Sequence, residues 1–147
     1  MARAVLALGS NLGDREGFLT FAVSSLSTLP QTRILKVSTW RETEPVDVPA
    51  GFEALMFLNG AVLIETALSP EALLEAALAI EAEAGRVRTI RNGPRPLDVD
   101  VILFEGERRN TERLMIPHPR AHVRDFVLEP LRDLGFTRED VVENRFS

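Results

Sequence analysis

The chain has 147 residues, of which 45% are hydrophobic and 27% charged, a balance typical of a single globular domain. No apolar run approaches the roughly 20 residues that a membrane-spanning helix needs. The chain has no cysteine, which excludes disulfides, thiolate nucleophiles and zinc–thiolate sites. The formal net charge of −5 argues against general nucleic-acid binding. We therefore expect one domain over residues 1–147 that is cytoplasmic and binds neither membrane nor nucleic acid.

The first half of the chain predicts three strands and one helix. Apolar runs or apolar–polar alternation typical of strands occur at residues 4–8, 34–40 and 57–66. The helix is expected after the first strand, with Asp14 as its N-cap and Pro30 beyond its end. Prolines and a glycine within residues 44–51 predict a loop.

The second half begins with a clear helix start at Ser69-Pro70-Glu71. Gly85 is expected to end this helix in the left-handed conformation, and a strand is predicted over residues 97–104. Residues 105–147 predict a small hairpin turned at Gly106, then one or two helices, the last capped by Thr137. The helix that starts at Ser69 is predicted to bury a stripe formed by Leu73, Leu74, Ala77 and Leu78. The order strand, helix, strand, strand, helix, strand indicates a ferredoxin-like α+β fold with a C-terminal helical extension.

The segment RNGPRPLDVDVI, residues 91–102, carries the strongest functional signal. Asp98 and Asp100 are two apart on a predicted strand, so they should project from one face with Cα atoms about 6.5 Å apart. Carboxylates at this spacing can converge on Mg²⁺, and arginine suits phosphate oxygens. The alternative is a solvated strand face, but Ile102 and Phe104 are expected on the same face and argue against it. The segment therefore predicts a site for Mg²⁺ with a polyphosphate, most simply ATP.

Other polar groups support a phosphate site, each with a bland alternative. Residues 86–97 contain four arginines and no acidic residue, which indicates either a loop that closes over triphosphate or a solvated turn with weak ion pairs. His118 lies between two prolines and near Arg120 and Arg124, so it is either a phosphate hydrogen-bond donor or a structural histidine. Glu81 is either a helix-surface acid or a carboxylate behind the metal site, and we favour the second.

The same segment resembles the signature of the hydroxymethyl-dihydropterin pyrophosphokinase family of the folate pathway. The resemblance extends over most of the chain, to GSNLG at 9–13, FLN at 57–59, IE at 80–81, GRVR at 85–88 and PHPR at 117–120. It implies a ferredoxin-like αβα sandwich, with helices packed on a mainly antiparallel sheet. It also implies transfer of pyrophosphate from ATP to the hydroxymethyl group of 6-hydroxymethyl-7,8-dihydropterin, with release of AMP.

The resemblance implies a role for particular residues. Asp98 and Asp100 would bind two Mg²⁺ ions that bridge ATP and the substrate hydroxyl. The loop that closes over ATP would contain Arg86, Arg88 and Arg95. The nucleotide would be contacted by Arg113, His118 and Arg124. The pterin ring would lie between Phe57 and Phe126, with Asn59 at its edge and the backbone of Thr43, Pro45 and Val46 along the same pocket. Association with neighbouring folate enzymes is a further expectation.

Two other classes of protein share parts of this pattern. A palm-like nucleotidyltransferase also uses an Asp-x-Asp strand, but it should have a third metal carboxylate and a groove for its acceptor. A non-catalytic ferredoxin-like ligand-binding domain would need no paired aspartates beside an arginine loop, and it should bind its ligand without Mg²⁺.

Overall fold

The computed structural model describes residues 1–44, 56–85 and 96–147. The predicted loop from residue 45 to residue 51 and the arginine-rich segment from 86 to 95 lie outside the described residues. Eleven helices and strands and a 3₁₀ turn at Ala121–Val123 occur in the described part. They are β1 Ala2–Ser10, α1 Arg15–Ser27, β2 Thr32–Val37, β3 Arg41–Thr43, β4 Phe57–Thr66, α2 Pro70–Ala84, β5 Asp98–Phe104, β6 Arg109–Asn110, β7 Met115–Ile116, α3 Asp125–Asp133 and α4 Arg138–Glu143. None of the helices in these ranges is long and apolar enough to cross a bilayer.

One antiparallel sheet, in the order β2-β4-β1-β5, forms the middle layer of the molecule. The short β3 also pairs with β4, beyond the end of β2, so both strands lie on the same side of β4. The predicted second strand therefore stops at Val37, and the chain resumes pairing at Arg41. This strand order is the ferredoxin-like arrangement that the sequence predicted.

Helices cover both faces of the sheet and give an αβα sandwich. On one face, α1 and α2 bury a core that includes Leu6, Leu19, Leu26, Ile64 and Leu73, all fully buried. The opposite face packs against α3 and α4, the predicted C-terminal helical extension. Its buried residues include Val5, Ala61, Ile102, Leu131 and Val141. Strand alternation separates the two sets, because successive side chains point to opposite faces.

A β-bulge in β5 changes which residues share a face. Val5 pairs with Leu103 and Leu6 with Val101, so Ile102 is the extra residue. An extra residue reverses the alternation that follows it. Ile102 keeps the face of Asp98 and Asp100 on the α3 side, as predicted, whereas Phe104, after the bulge, lies in the core beneath α1 and α2. The expectation that Phe104 shares the aspartates' face was wrong for this reason.

Details of the helices and turns also differ from the sequence-based expectations. Leu78 is 41% exposed, and Ile80 and Ala84 complete the buried stripe of α2 instead. Gly85 ends α2 with φ −87°, outside the left-handed region. Gly106 does turn the chain with φ +75°, but the hairpin is formed by β6 and β7 after it. The predicted caps Asp14, Ser69 and Thr137 are confirmed, each accepting a backbone N–H.

Asn144 attaches the C-terminal helix to the sheet, and its loss is expected to destabilise the protein. Its side chain accepts from Phe104 N at 2.9 Å and donates to Phe104 O and Glu107 O at 2.7 and 2.8 Å. Its φ of 53° also lies in the left-handed region, which asparagine tolerates well. We expect Asn144→Ala to lower the free energy of unfolding by about 2 kcal/mol. Urea unfolding measures this, and a loss below about 0.5 kcal/mol would contradict it.

Candidate active site

A cleft opens between the sheet and the start of α3, and most of the predicted site residues line it. The predicted residues in its wall are Thr43, Phe57, Asn59, Asp98, Asp100, His118, Arg124 and Phe126. The pairing register explains part of this convergence, because Gly9 of β1 lies opposite both Asn59 of β4 and Asp98 of β5. Three neighbouring strands thus present one row of residues to the same cleft.

Asp98 and Asp100 are the first and third residues of β5, the strand at one edge of the sheet. They pair with Gly9 and Ala7 of β1, and both line the cleft, whereas Val99 between them is buried on the opposite face. Asp98 is half-buried and Asp100 is exposed. This arrangement confirms the expected common orientation of the two carboxylates.

Glu81 supports this strand from behind. Its Oε2 accepts a hydrogen bond from the backbone N–H of Val99 at 2.7 Å. Val99 lies between the two aspartates, so the contact fixes β5 against α2 where the carboxylates project. Glu81 does not line the cleft. The structure therefore places it behind the aspartates, in the arrangement that the sequence analysis favoured, and its effect on a metal ion stays a prediction.

Asn59 places a carboxamide, held in position by a hydrogen bond, in the wall of the cleft. It is 6% exposed, and its Nδ2 donates to Thr43 Oγ1 at 2.5 Å. A methyl group at Gly9 would come within 2.9 Å of Asn59 Oδ1, so the glycine makes room for the carboxamide. A buried carboxamide held in this way offers a donor and an acceptor in a fixed plane, which suits a flat polar heterocycle.

Phe57 and Phe126 supply the aromatic surface of the cleft from two different elements. Phe57 begins β4 and pairs with Thr43, whereas Phe126 lies in the first turn of α3. The guanidinium of Arg124 stands over the Phe126 ring, 5.6 Å from its centroid, at a distance typical of a cation–π contact. A cationic group and an aromatic surface therefore lie side by side at the helix end of the cleft.

His118 lies in the cleft as a histidine that favours its neutral form. Burial, with Arg124 and Arg120 nearby, lowers the pKa of His118 below its ordinary value. Its backbone N–H donates to Ile102 O at 2.9 Å, and its Nδ1 accepts from Arg120 N at 3.3 Å. Because Nδ1 is an acceptor here, the neutral ring carries its proton on Nε2 and can donate from that atom.

The lowered pKa of His118 makes stability depend on pH. The unfolded chain protonates this residue near the ordinary pKa of about 6.5, before the folded protein does. The stability is therefore complete above about pH 6.5 and falls as the pH decreases toward the folded pKa. We expect His118→Gln to weaken this decline, as measured by urea unfolding at about pH 7.5 and about pH 5.5. An equal decline in both proteins would contradict the assignment.

The remaining predicted residues are not brought to the cleft by the described structure. Arg113 is 66% exposed, does not line the cleft, and forms an ion pair with Glu75 at 2.5 Å. Its contact with nucleotide stays a prediction. Five others lie outside the described residues: Pro45, Val46, Arg86, Arg88 and Arg95.

Sequence reasoning did not assign several residues of the cleft wall. The main ones are Gly9, Ile102 and Val127. Gly9 had a usable signal, since it opens a polar Gly-Ser-Asn turn directly after a buried strand. Ile102 also had a signal, because plain strand alternation places it on the same face as Asp98 and Asp100.

The carboxylates present in the cleft fit Mg²⁺ bound together with phosphate. In residues 1–44, 56–85 and 96–147, no three acidic, histidine or cysteine side chains are grouped to hold a metal ion. Asp98 and Asp100 alone would supply two carboxylates. Mg²⁺ is commonly held by one or two carboxylates, with water and substrate phosphates completing its octahedron. The donor set therefore suits an ion that arrives with a polyphosphate.

Comparison with known proteins agrees with this geometry. Residues 5–135 match the family model described as 7,8-dihydro-6-hydroxymethylpterin-pyrophosphokinase (HPPK). A 2-amino-4-hydroxy-6-hydroxymethyldihydropteridine pyrophosphokinase of Bacillus subtilis is 48% identical over 132 residues, which cover 89% of this chain and 77% of that protein. The enzyme of the same name from Pseudomonas aeruginosa is 42% identical over 133 residues, which cover 90% of this chain and 80% of that protein.

Solved structures show the same fold at lower sequence identity. An HPPK-DHPS crystallised in complex with substrates matches with a TM-score of 0.68 and 14% identity. The match covers 90% of this chain and 40% of that protein, so the chain spans less than half of the two-part structure. The family match over most of the chain, together with these relatives, shows that the chain belongs to the 7,8-dihydro-6-hydroxymethylpterin-pyrophosphokinase family.

Proposed function

We propose that this protein transfers pyrophosphate from ATP to the hydroxymethyl group of 6-hydroxymethyl-7,8-dihydropterin and releases AMP, as a step of folate biosynthesis. The family and its named relatives support this activity. The observation that carries the proposal is the meeting of Asp98 and Asp100 with Asn59 and Phe126 in one cleft. A reacting hydroxyl on the pterin and the phosphates of ATP could then lie beside the same two carboxylates.

The sheet side of the cleft would hold the pterin. Asn59 would donate to and accept from the polar edge of the ring, since its carboxamide is buried and its plane is held by Thr43. Phe57 and Phe126 would contact the two faces of the ring, which is flat and aromatic enough to stack. The backbone of Thr43, Pro45 and Val46 would complete this side of the pocket.

The opposite side would hold ATP through positive charge. His118 would donate from Nε2 to a phosphate oxygen, and Arg124 would contribute a permanent charge beside it. Arg86, Arg88 and Arg95 would belong to the loop that closes over ATP, and Arg113 would contact the nucleotide after leaving Glu75. Phosphoryl transfer asks for positioning and charge neutralisation more than covalent chemistry, and arginines meet that need.

Two Mg²⁺ ions bound by Asp98 and Asp100 would neutralise triphosphate charge and make the pterin hydroxyl more acidic. The ion number follows from the family resemblance. The chain's own contribution is to hold both carboxylates on one strand face, with Glu81 fixing the backbone between them. Desolvation of the closed cleft would strengthen each of these charge interactions.

Separation of the nucleotide products tests the reaction directly. The protein is incubated with Mg-ATP, with and without 6-hydroxymethyl-7,8-dihydropterin, and AMP is separated from ADP. We expect AMP, formed only when the pterin is present. ADP would mean that the γ-phosphorus is attacked instead, and ATP binding without any turnover would favour a binding domain.

Association with other folate enzymes is a second part of the proposal. The solved relatives join HPPK to DHPS in one chain, including the Plasmodium falciparum protein, which matches with a TM-score of 0.64. We propose that this protein acts in the cytoplasm near such enzymes. Co-elution with a separately expressed DHPS in size-exclusion chromatography tests the contact, and independent elution at micromolar concentration would argue against a stable complex.

A further inference from the structure

A network of hydrogen bonds and ion pairs joins the β2–β3 connection to the end of α3. Arg41 Nη2 donates to Asp133 Oδ1 at 2.8 Å, and Arg41 Nη1 lies 3.5 Å from Glu129 Oε2. The other oxygen of Asp133 accepts from the backbone N–H and the hydroxyl of Thr39, at 3.1 and 2.9 Å. Both oxygens of the Asp133 carboxylate therefore accept hydrogen bonds, one from the β2–β3 connection and the other from β3.

The two ends of this network carry opposite walls of the candidate pterin pocket. Arg41 begins β3, which ends at Thr43, the residue that holds Asn59. Asp133 ends α3, which carries Phe126 in its first turn. Neither Arg41 nor Asp133 lines the cleft itself. The network thus joins the two walls without lining the cleft.

Buried packing holds α3 on β4, but β3 itself is only lightly attached to the sheet. β3 has three residues and lies at the edge of the sheet, so it has few ladder hydrogen bonds. Among the ion pairs of the described residues, those of Arg41 are the ones that reach α3. Arg41 Nε is buried without a hydrogen-bond partner in the same ranges, so the guanidinium is held through its two terminal nitrogens.

We infer that Arg41 and Asp133 form a clamp between β3 and α3 that sets the width of the pterin pocket. They are positioning residues, acting through Thr43 and Asn59 on one side and Phe126 on the other. The inference rests on the proposed function. Loss of the clamp should weaken pterin binding selectively. The reason is that Asp98 and Asp100 belong to β5, and His118 to the segment before α3.

Steady-state kinetics of Asp133→Asn and Arg41→Gln test the clamp. In Asp133→Asn the single amide oxygen can accept from Thr39 or from Arg41, so the amide nitrogen must face the other donor and one side of the network is lost, together with the negative charge, at nearly constant volume. We expect the KM for pterin to rise about three- to ten-fold, as for a partly exposed network of ion pairs, with kcat and the KM for ATP within about two-fold. The double variant should fall short of the product of the two single effects, because both substitutions remove the same contact between Arg41 and Asp133.

Glu65→Gln is the matched control. It breaks the cross-strand ion pair in which Arg33 Nε lies 3.0 Å from Glu65 Oε1. This pair lies on the same side of the sheet as the clamp, but away from α3. Its KM for pterin should not change. An unchanged KM for pterin in both clamp variants, together with a lowered Tm, would overturn the inference and leave only a structural role. Equal increases in the KM values for pterin and ATP would overturn it in the same way. If Asp133→Asn does not fold, Arg41→Gln decides the same question. Absence of AMP from the unaltered protein would instead refute the proposed function.

Discussion

Asp100→Asn is expected to reduce kcat on the order of 1,000-fold or more, to the detection limit of the AMP assay. The change keeps the shape of the side chain and removes the negative charge that a metal ion needs. Asp98→Asn should behave in the same way, because both carboxylates face one cleft from one strand. Nucleotide binding should survive in large part through the arginines and His118, so that calorimetric titration with ATP still shows a complex.

The control for this pair is a carboxylate that lies on the sheet but outside the cleft. Glu65→Gln is this control, because Glu65 forms an ion pair with Arg33 near the C-terminal end of β4. Its kcat should match that of the unaltered protein. Turnover within about ten-fold of normal in both aspartate variants would refute the metal role, because a lost metal charge costs far more than that. Circular dichroism excludes unfolding as the cause.

Asn59→Leu is expected to lower kcat/KM for the pterin on the order of 100-fold or more. Leucine has a similar volume but neither donor nor acceptor, so the polar edge of the substrate would be buried without partners. The KM for ATP should stay within about two-fold, because Asn59 lies on the sheet side of the cleft. Competition between pterin and an unreactive pterin analogue measures the binding loss separately from the chemical step.

An exposed asparagine provides the comparison for this substitution. Asn110 lies in β6, away from the cleft, and Asn110→Leu should leave all kinetic constants unchanged. If Asn59→Leu instead raised the KM values for pterin and ATP equally, the pocket assignment would be wrong and the buried hydrogen bond to Thr43 would serve the fold alone. The melting temperature of the variant separates these cases further.

Local patterns predicted the parts of the site that depend on short-range geometry. The Asp-x-Asp pair faces one way because strand side chains alternate with a period of two, whatever the strand pairs with. The cap at Ser69 and the strand at Phe57–Thr66 likewise follow from neighbouring residues, and both are confirmed. The resemblance added the expected roles of Phe57, Asn59 and Phe126; local patterns would have assigned Phe57 and Phe126 to an ordinary core.

Long-range contacts decided the rest. The pairing of Gly9 with Asn59 and Asp98 depends on the register of three strands, which no single segment of sequence specifies. The bulge that turns Phe104 away from the face of Asp98 and Asp100 depends on the pairing of β1 with β5. Arg113, between β6 and β7, forms an ion pair with Glu75 of α2, a contact between distant segments that no local pattern specifies.

The sequence by itself determined the order of the main strands and helices along the chain, the helix N-caps, the common face of Asp98 and Asp100 and the family. Those properties are carried by short-range periodicity or by a contiguous motif. Only the tertiary structure decided that β3 and α3 are joined through Arg41 and Asp133, and that Glu81 holds Val99 between the aspartates. The physical reason is that such contacts join residues distant in the chain, whose meeting depends on how every layer of the sandwich packs.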